Sequence, residues 1–314
     1  MSVQTNRKWP DKLSRMIVPS PYADLLDRIP VTARTLSVCG STTALWDYGD
    51  LDSATTIVMV HGFRGDHHGL EPVVAHLSGA RIVSPDLPGF GASQPLVGIR
   101  HDLDGYALWL REFVRVLAPT GRLVILGHSF GSIVASAALA GGLRADDVVL
   151  VNPIAAPALS GPRGVLTRLA VFYYWAAATL PERLGFALLR NRVIVRIMSV
   201  TMTKTHEPQL RRWIHNQHDR YFSAFADRTV VLDAFTASVG HDVSEFAANI
   251  PERTLLIAAD KDDITPLPAQ HRLQTLFPRA TLAVVHDVGH LIHYEMPAPA
   301  AAELRRFLSL PESA

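Results

Sequence analysis

The chain has 314 residues, 48 % of them hydrophobic and 19 % charged, enough apolar material for a large buried core, which excludes wholesale disorder. Thirty basic residues against 29 acidic ones leave a net charge of +1, without the electrostatic footprint of a nucleic-acid binder. A single cysteine, Cys39, excludes an internal disulfide and a cysteine-based metal site.

The opening residues, MSVQTNRKWPDKLSRM, carry charges but neither the apolar stretch nor the small-residue cleavage site of a secretory leader. Pro10, Pro19, Pro21 and Pro30 make the first thirty residues an irregular lead-in. Residues 34–39 and 43–48 alternate as two strands joined at Gly40-Ser41. The β-branched run TTIVMV at 55–60 is the pattern of a strand buried on both faces. Strand and helix then alternate: helix 69–77, strand 81–84, helix 104–117, strand 122–126, helix 129–140 and strand 147–151. Continuous apolar strands alternating with helices predict a mainly parallel sheet covered by helices on both faces.

This rhythm stops at Pro153. Residues 154–245 contain helical segments at 166–180, 182–198, 207–222 and 229–239 and no clear strand. They hold eleven basic and seven acidic residues, an excess that reads as a solvated basic face. The most apolar run, LAVFYYWAAATL at 169–180, is bounded by Arg168 and Pro181. It falls short of the roughly 20 apolar residues of a membrane span. The βα rhythm returns with strand 254–259, helix 268–277, strand 281–286 and helix 298–308. The expected organisation is an α/β core in two parts, 1–153 and 246–314, interrupted by a helical insert at 154–245. The expected location is cytoplasmic, with no stable membrane insertion and no nucleic-acid partner.

The sharpest motif is Gly127-His128-Ser129-Phe130-Gly131, a G-x-S-x-G directly after one strand and opening a helix. A sharp strand-to-helix turn lifts the serine hydroxyl above the sheet, and the helix N-terminus brings free N–H groups and partial positive charge beside it. A serine hydroxyl needs a base. His290, in Asp287-Val288-Gly289-His290 just past the last strand, reaches the same sheet edge; His293 and His286 are its neighbours. His128 is set aside because adjacent side chains on the elbow diverge. An acid must orient the imidazole. The loop after strand 254–259 offers Asp260, Asp262 and Asp263, which the bare residues leave indistinguishable.

The order Ser129, acid, His290 is that of the α/β-hydrolase triad. From about Arg34 onward the sequence resembles the α/β-hydrolase superfamily, in particular its lid-bearing branch of esterases, lactonases and C–C bond hydrolases. Four motifs carry the resemblance: His61-Gly62-Phe63 after the first buried strand, the turn Asp86-Leu87-Pro88-Gly89-Phe90-Gly91-Ala92-Ser93, the serine elbow, and the pairing of Asp262-x-x-x-Pro266 with Gly289-His290-x-x-x-x-Glu295-x-Pro297. Ala259 departs from the glycine that many relatives carry there.

The resemblance implies an eight-stranded, mostly parallel sheet with an α-helical cap formed by the insert. It selects Asp262 among the three acids, four residues before Pro266, and implies an oxyanion hole from the backbone N–H groups of Phe63 and Phe130. His61 is expected to hold the oxyanion loop, Asp86 to serve the turn, and His67 and His68 to be surface or loop residues. Epoxide hydrolases and haloalkane dehalogenases of this fold carry an aspartate at the elbow, so Ser129 argues against both. The expected reaction is hydrolysis of a carboxylic ester or lactone with an apolar moiety, without metal or other cofactor. The alternatives are cleavage of a vinylogous diketone, which many members perform with a tryptophan where Leu291 stands here, and a receptor-like role with little turnover. In the cap, Phe172, Tyr173, Trp175, Leu180, Phe186 and Trp213 are candidates for an apolar substrate pocket, with Leu291 beside them.

Overall fold

A computed structural model describes residues 18–156 and 164–311. Residues 1–16, on which the leader expectation rests, therefore lie outside the described part. After a short helix α1 (Ala23–Leu26), strands β1 (Val31–Val38) and β2 (Ser41–Tyr48) form a hairpin, with Cys39 and Gly40 both at positive φ in its turn. The first α/β units follow as β3 (Thr55–Val60), α2 (Glu71–Val74), β4 (Arg81–Pro85), α3 (Leu103–Leu117), β5 (Arg122–His128), α4 (Phe130–Ala140) and β6 (Asp147–Val151). Helices α5 (Gly164–Thr179), α6 (Glu182–Leu189), α7 (Arg192–Met202), α8 (Pro208–Tyr221) and α9 (Arg228–Gly240) come next. The chain ends in β7 (Arg253–Ala259), α10 (Leu267–Leu276), β8 (Ala280–Val285), α11 (Ile292–Glu295) and α12 (Pro297–Leu308).

The strands form one sheet in the order β1-β2-β4-β3-β5-β6-β7-β8. Only the β1–β2 and β2–β4 pairs are antiparallel; β3 to β8 run parallel. Every residue of β3 and β6 is buried, as continuous apolar strands require when both faces are covered. One apolar cluster packs α3, α4 and α10 on one face, and a second packs α2 and α12 on the other.

The sequence pattern predicts most elements to within two residues. Two differ more. The expected helix 182–198 is two helices, because Asn191 turns out of helical geometry and its side chain accepts from the N–H groups of Val193 and Ile194, capping α7. The expected helix 69–77 shrinks to a single turn, α2, preceded by a 3-10 turn at His67–Gly69 that Asp66 caps. Among the described residues between β6 and β7 the regular elements are helical; an isolated bridge, Phe90 to Phe225, pairs them with the loop after β4. No helix among the described residues is long and apolar enough to cross a membrane.

Candidate active site

Four loops meet at the carboxyl ends of the parallel strands, where open α/β sheets place their ligands. They follow β3, β5, β7 and β8 and carry Phe63, Ser129, Asp262 and His290. Ser129 sits between β5 and α4 at φ 54°, ψ −119°, a backbone state that costs a non-glycine residue about 1–3 kcal/mol. The flanking glycines make that turn possible. A Cβ on Gly131 would lie 2.1 Å from the carbonyl oxygen of Val60, and one on Gly127 would lie 2.5 Å from that of Gly131. Helix α4 thus touches β3 backbone to backbone, next to the loop that holds Phe63.

Ser129 Oγ–H donates to His290 Nε2 at 2.8 Å, and His290 Nδ1–H donates to Asp262 Oδ2 at 2.7 Å. A carboxylate only accepts, so the ring proton sits on Nδ1 and Nε2 presents a lone pair to the serine. Asp262 also accepts from the N–H groups of Ile264 and Thr265 and from the Thr265 hydroxyl, at 2.8, 3.1 and 2.9 Å. Burial opposes its ionisation, but the His290 ring and these N–H groups outweigh it and hold the carboxyl below its usual range. The other two acids of the loop go elsewhere. Asp260 pairs with His286 at 3.1 Å, and Asp263 pairs with Lys204 between α7 and α8.

Two more imidazoles surround His290. His128 lies 5.7 Å from it between ring centroids, and His293 lies 4.1 Å from His128. Burial, then repulsion from His290, lowers His128 to about 3. Burial, then repulsion from His128 and His290, holds His293 well below the ordinary histidine value. Both rings stay neutral and so do not oppose a positive charge on His290.

The loop after β3 is pinned from below. His61 Nδ1–H donates to the carbonyl of Gly62 at 2.9 Å, and its Nε2 accepts from Leu87 N–H at 2.8 Å. Burial lowers its pKa, matching a neutral structural ring. Asp86 accepts from His67 and from Ala92 N–H, so it organises its turn. His67 lies in the connection between β3 and α2, as expected of a loop residue, but it is not at the surface: it is buried against Trp46 and bonded to Asp86, which supplies an acceptor in the interior. His68 is half-buried, and Tyr221 of α8 stacks on it at 3.9 Å. Ligand atoms of Asp66, His67 and His68 lie within 4.8 Å of one another, yet they are engaged with Asp86 and with each other.

The rings of Phe63 and Phe130 meet edge to face at 6.3 Å. Tyr174 of α5 and Phe235 of α9 lie 5.9 and 6.0 Å from Phe63 and stack on each other at 3.7 Å. The aromatic wall over the Phe63 loop therefore uses Tyr174 and Phe235. Helix α5 buries Tyr174 and Ala177 on one stripe and exposes Phe172 and Trp175 on another. Those two rings pack on each other at 5.6 Å. Tyr173 is half-buried with its hydroxyl on the carbonyl of Leu188, Leu180 is exposed, and Phe186 packs on Phe225. Trp213 and Leu291 are buried together with Ile214 and Tyr294.

Sequence reasoning passed over Asn152. It lies buried after β6 at φ 41°, donates to the carbonyl of His290 at 2.9 Å and accepts from Ala259 N–H at 2.9 Å. It thereby locks the His290 loop to the end of β7. An asparagine before a proline at a strand end is its only local signal, since asparagine tolerates positive φ.

A family profile described as "Alpha/beta hydrolase family" matches residues 57–303. "Lipase 3" of Moraxella sp. (strain TA144) is 22 % identical over 274 residues, spanning 83 % of this chain and 80 % of that protein. Among solved structures, an esterase from Exiguobacterium antarcticum superposes with a TM-score of 0.72 at 18 % identity, covering 88 % of this chain and 100 % of that one. An esterase from Thermogutta terrifontis gives 0.68 at 22 % identity, covering 88 % and 98 %. With the profile spanning most of the sequence, and the sheet order and strand-end loops as described, this chain belongs to the α/β-hydrolase family.

Proposed function

We propose that this protein is a serine hydrolase that cleaves a carboxylic ester or lactone with an apolar moiety through an acyl-enzyme, with residues 154–245 acting as a cap over the core. The observation that carries this reading is the chain of hydrogen bonds from Ser129 through His290 to Asp262 at the carboxyl ends of the strands. Ser129 Oγ attacks the carbonyl carbon while His290 Nε2 takes its proton. Asp262 keeps that proton acceptor in the productive tautomer and balances the imidazolium. The N–H groups of Phe63 and Phe130 receive the charge that develops on the carbonyl oxygen. The leaving alkoxide takes the proton from His290, and water then enters by the same route to release the acid and restore Ser129. The aromatic side chains of Phe63, Phe130, Tyr174 and Phe235 support an apolar substrate.

A fluorophosphonate probe and a panel of p-nitrophenyl esters, lactones and a vinylogous diketone test the reading. The parent protein is expected to take one label and to turn over esters or lactones, and Ser129→Ala to do neither. Labelling of Ser129→Ala would overturn the nucleophile. Cleavage of the diketone alone would move the protein to C–C hydrolysis, and full labelling without turnover of any substrate would favour a receptor role.

A further inference from the structure

Arg64 is a fully buried cation that hydrolysis as derived above does not use. It follows Phe63 directly and holds its backbone at φ 60°, a left-handed state that a non-glycine residue keeps only when its surroundings enforce it. Its guanidinium bonds backbone carbonyls and tyrosine hydroxyls and no carboxylate, the Tyr173 hydroxyl of α5 among its partners. Nη2–H donates to the carbonyl of Leu189 at 2.7 Å, Nε–H to that of Phe222 at 3.0 Å, and Nη1–H to the Tyr174 hydroxyl at 3.1 Å. It also lies over the ring of Phe222, 4.6 Å from its centroid.

Each partner belongs to the helical insert. Leu189 is the last residue of α6, Phe222 caps the C-terminus of α8, and Tyr174 lies on α5. Helix C-termini present unpaired carbonyls and partial negative charge, so two helix ends take the place of a counter-ion. A buried cation deprived of its acceptors is strongly unfavourable. The side chain therefore discriminates sharply between an insert seated on the core and one displaced from it.

The loop 61–64 spans these two anchors. His61 fastens its start to the core through Leu87 N–H, and Arg64 fastens its end to the insert. Phe63 N–H lies between them. We propose that Arg64 is a positioning residue that couples seating of the helical insert to the orientation of the Phe63 N–H, so that hydrolysis is fast only when the insert is docked. This inference rests on the reading of Phe63 N–H as an oxyanion donor.

The test uses the full-length protein, a p-nitrophenyl acetate assay and fluorophosphonate titration of Ser129. Acylation and deacylation both pass through an oxyanion, so a misplaced donor slows both. Arg64→Met is expected to lower kcat per titrated site by about 10- to 100-fold, with KM within about threefold. Its label should still reach one per chain, more slowly. Arg64→Lys keeps the charge but not the planar fork, and should recover part of kcat. Tyr174→Phe removes one acceptor, should lower kcat less, and should be non-additive with Arg64→Met. Asn191→Ala, which loses the α7 cap, should lower Tm and leave kcat per site unchanged.

If Arg64→Met only lowers Tm, as Asn191→Ala does, with unchanged kcat per site, Arg64 is a stabilising clamp and the coupling is wrong. Should Arg64→Met fail to fold, an unchanged kcat in both Arg64→Lys and Tyr174→Phe would overturn it equally. Absence of labelling in the parent protein would instead break the hydrolase reading itself.

Discussion

The α/β core and the helical insert share one apolar cluster, through Tyr174, Leu189, Val230 and Phe235 of the insert, but differ in how much of their apolar surface is covered. In the core, β3 and β6 are buried along their whole length, and two apolar clusters cover the two faces of the sheet. The insert leaves Leu169, Phe172 and Trp175 of α5 and Val193 and Ile197 of α7 exposed. Polar ties at defined points help fasten it to the core. Besides the Arg64 fork, Lys204 N–H donates to Glu295 at 2.8 Å, and Gly91 N–H and Gly89 carbonyl pair with Ala224 and Ala226 at 2.7 and 2.8 Å. Burial makes Glu295 harder to ionise, opposed by the N–H groups of Lys204 and Thr205. An element covered on both faces tolerates little displacement, whereas an insert that leaves one face in solvent is constrained from one side only. The difference fits the proposed division of labour, in which the core holds the reacting atoms and the insert caps them.

The largest expected effect belongs to the core. Ser129→Ala should cost at least about 10⁴-fold in ester turnover while Tm stays nearly constant, because the hydroxyl contributes to chemistry rather than packing. A residual rate above about one hundredth of the parent would break the assignment. Next comes Asp262→Asn, which leaves His290 without the acceptor that sets its tautomer. A loss of about 10³- to 10⁴-fold is expected, against less than about threefold for Asp260→Asn or Asp263→Asn. A greater loss in either of those two would show the wrong acid was chosen.

Stability separates the two regions in a second way. Gly131→Ala places a methyl 2.1 Å from a β3 carbonyl, and neither backbone yields cheaply. It should prevent soluble folding or lower stability by more than about 4 kcal/mol, read from denaturant midpoints. In the insert, Trp175→Ser removes an exposed ring and should change stability by less than about 0.5 kcal/mol. A large loss there would mean that α5 packs against more than the present structure contains.

A pH dependence is shared by both regions. Burial lowers His128 in the core and His218 in the insert from the usual 6.5 to about 3. The unfolded chain then binds more protons than the folded one between about pH 3 and 6.5, so stability rises with pH across that window. The depressed Asp262 adds loss of stability at the acid end, as pH falls through its folded value. Denaturant unfolding from pH 4 to 6.5 should show this positive slope, and His218→Gln should flatten it. If His218→Gln leaves the slope of core unfolding intact while a separate insert transition loses its own, the two regions unfold independently.

Much of the core was legible because its signals are local. The β-branched, apolar-rich run TTIVMV at 55–60 declares a strand covered on both faces, and the glycines around Ser129 declare a turn too tight for side chains. The insert was legible as helices but not in their phase. Tyr173 and Tyr174 are neighbours in sequence, yet only Tyr174 is fully buried beside Phe63, and a helix as uniformly apolar as α5 offers no amphipathic stripe to orient it.

By itself, the sequence determined the order of strands and helices, the place of the serine elbow and the histidine that reaches it. These follow from hydrophobic periodicity and from turns that few residues can make. Tertiary structure alone decided what lies far apart along the chain. The bare residues do not separate Asp260, Asp262 and Asp263, and only the resemblance selected Asp262; the fold gives one to His290, one to His286 and one to Lys204. Arg64 carries no signal of burial, because its acceptors on Tyr174, Leu189 and Phe222 stand 110, 125 and 158 residues away and two of them are helix-end carbonyls that any side chain can accompany. Such partners are set by how helices dock on the sheet, and that geometry is not written in any local run of residues.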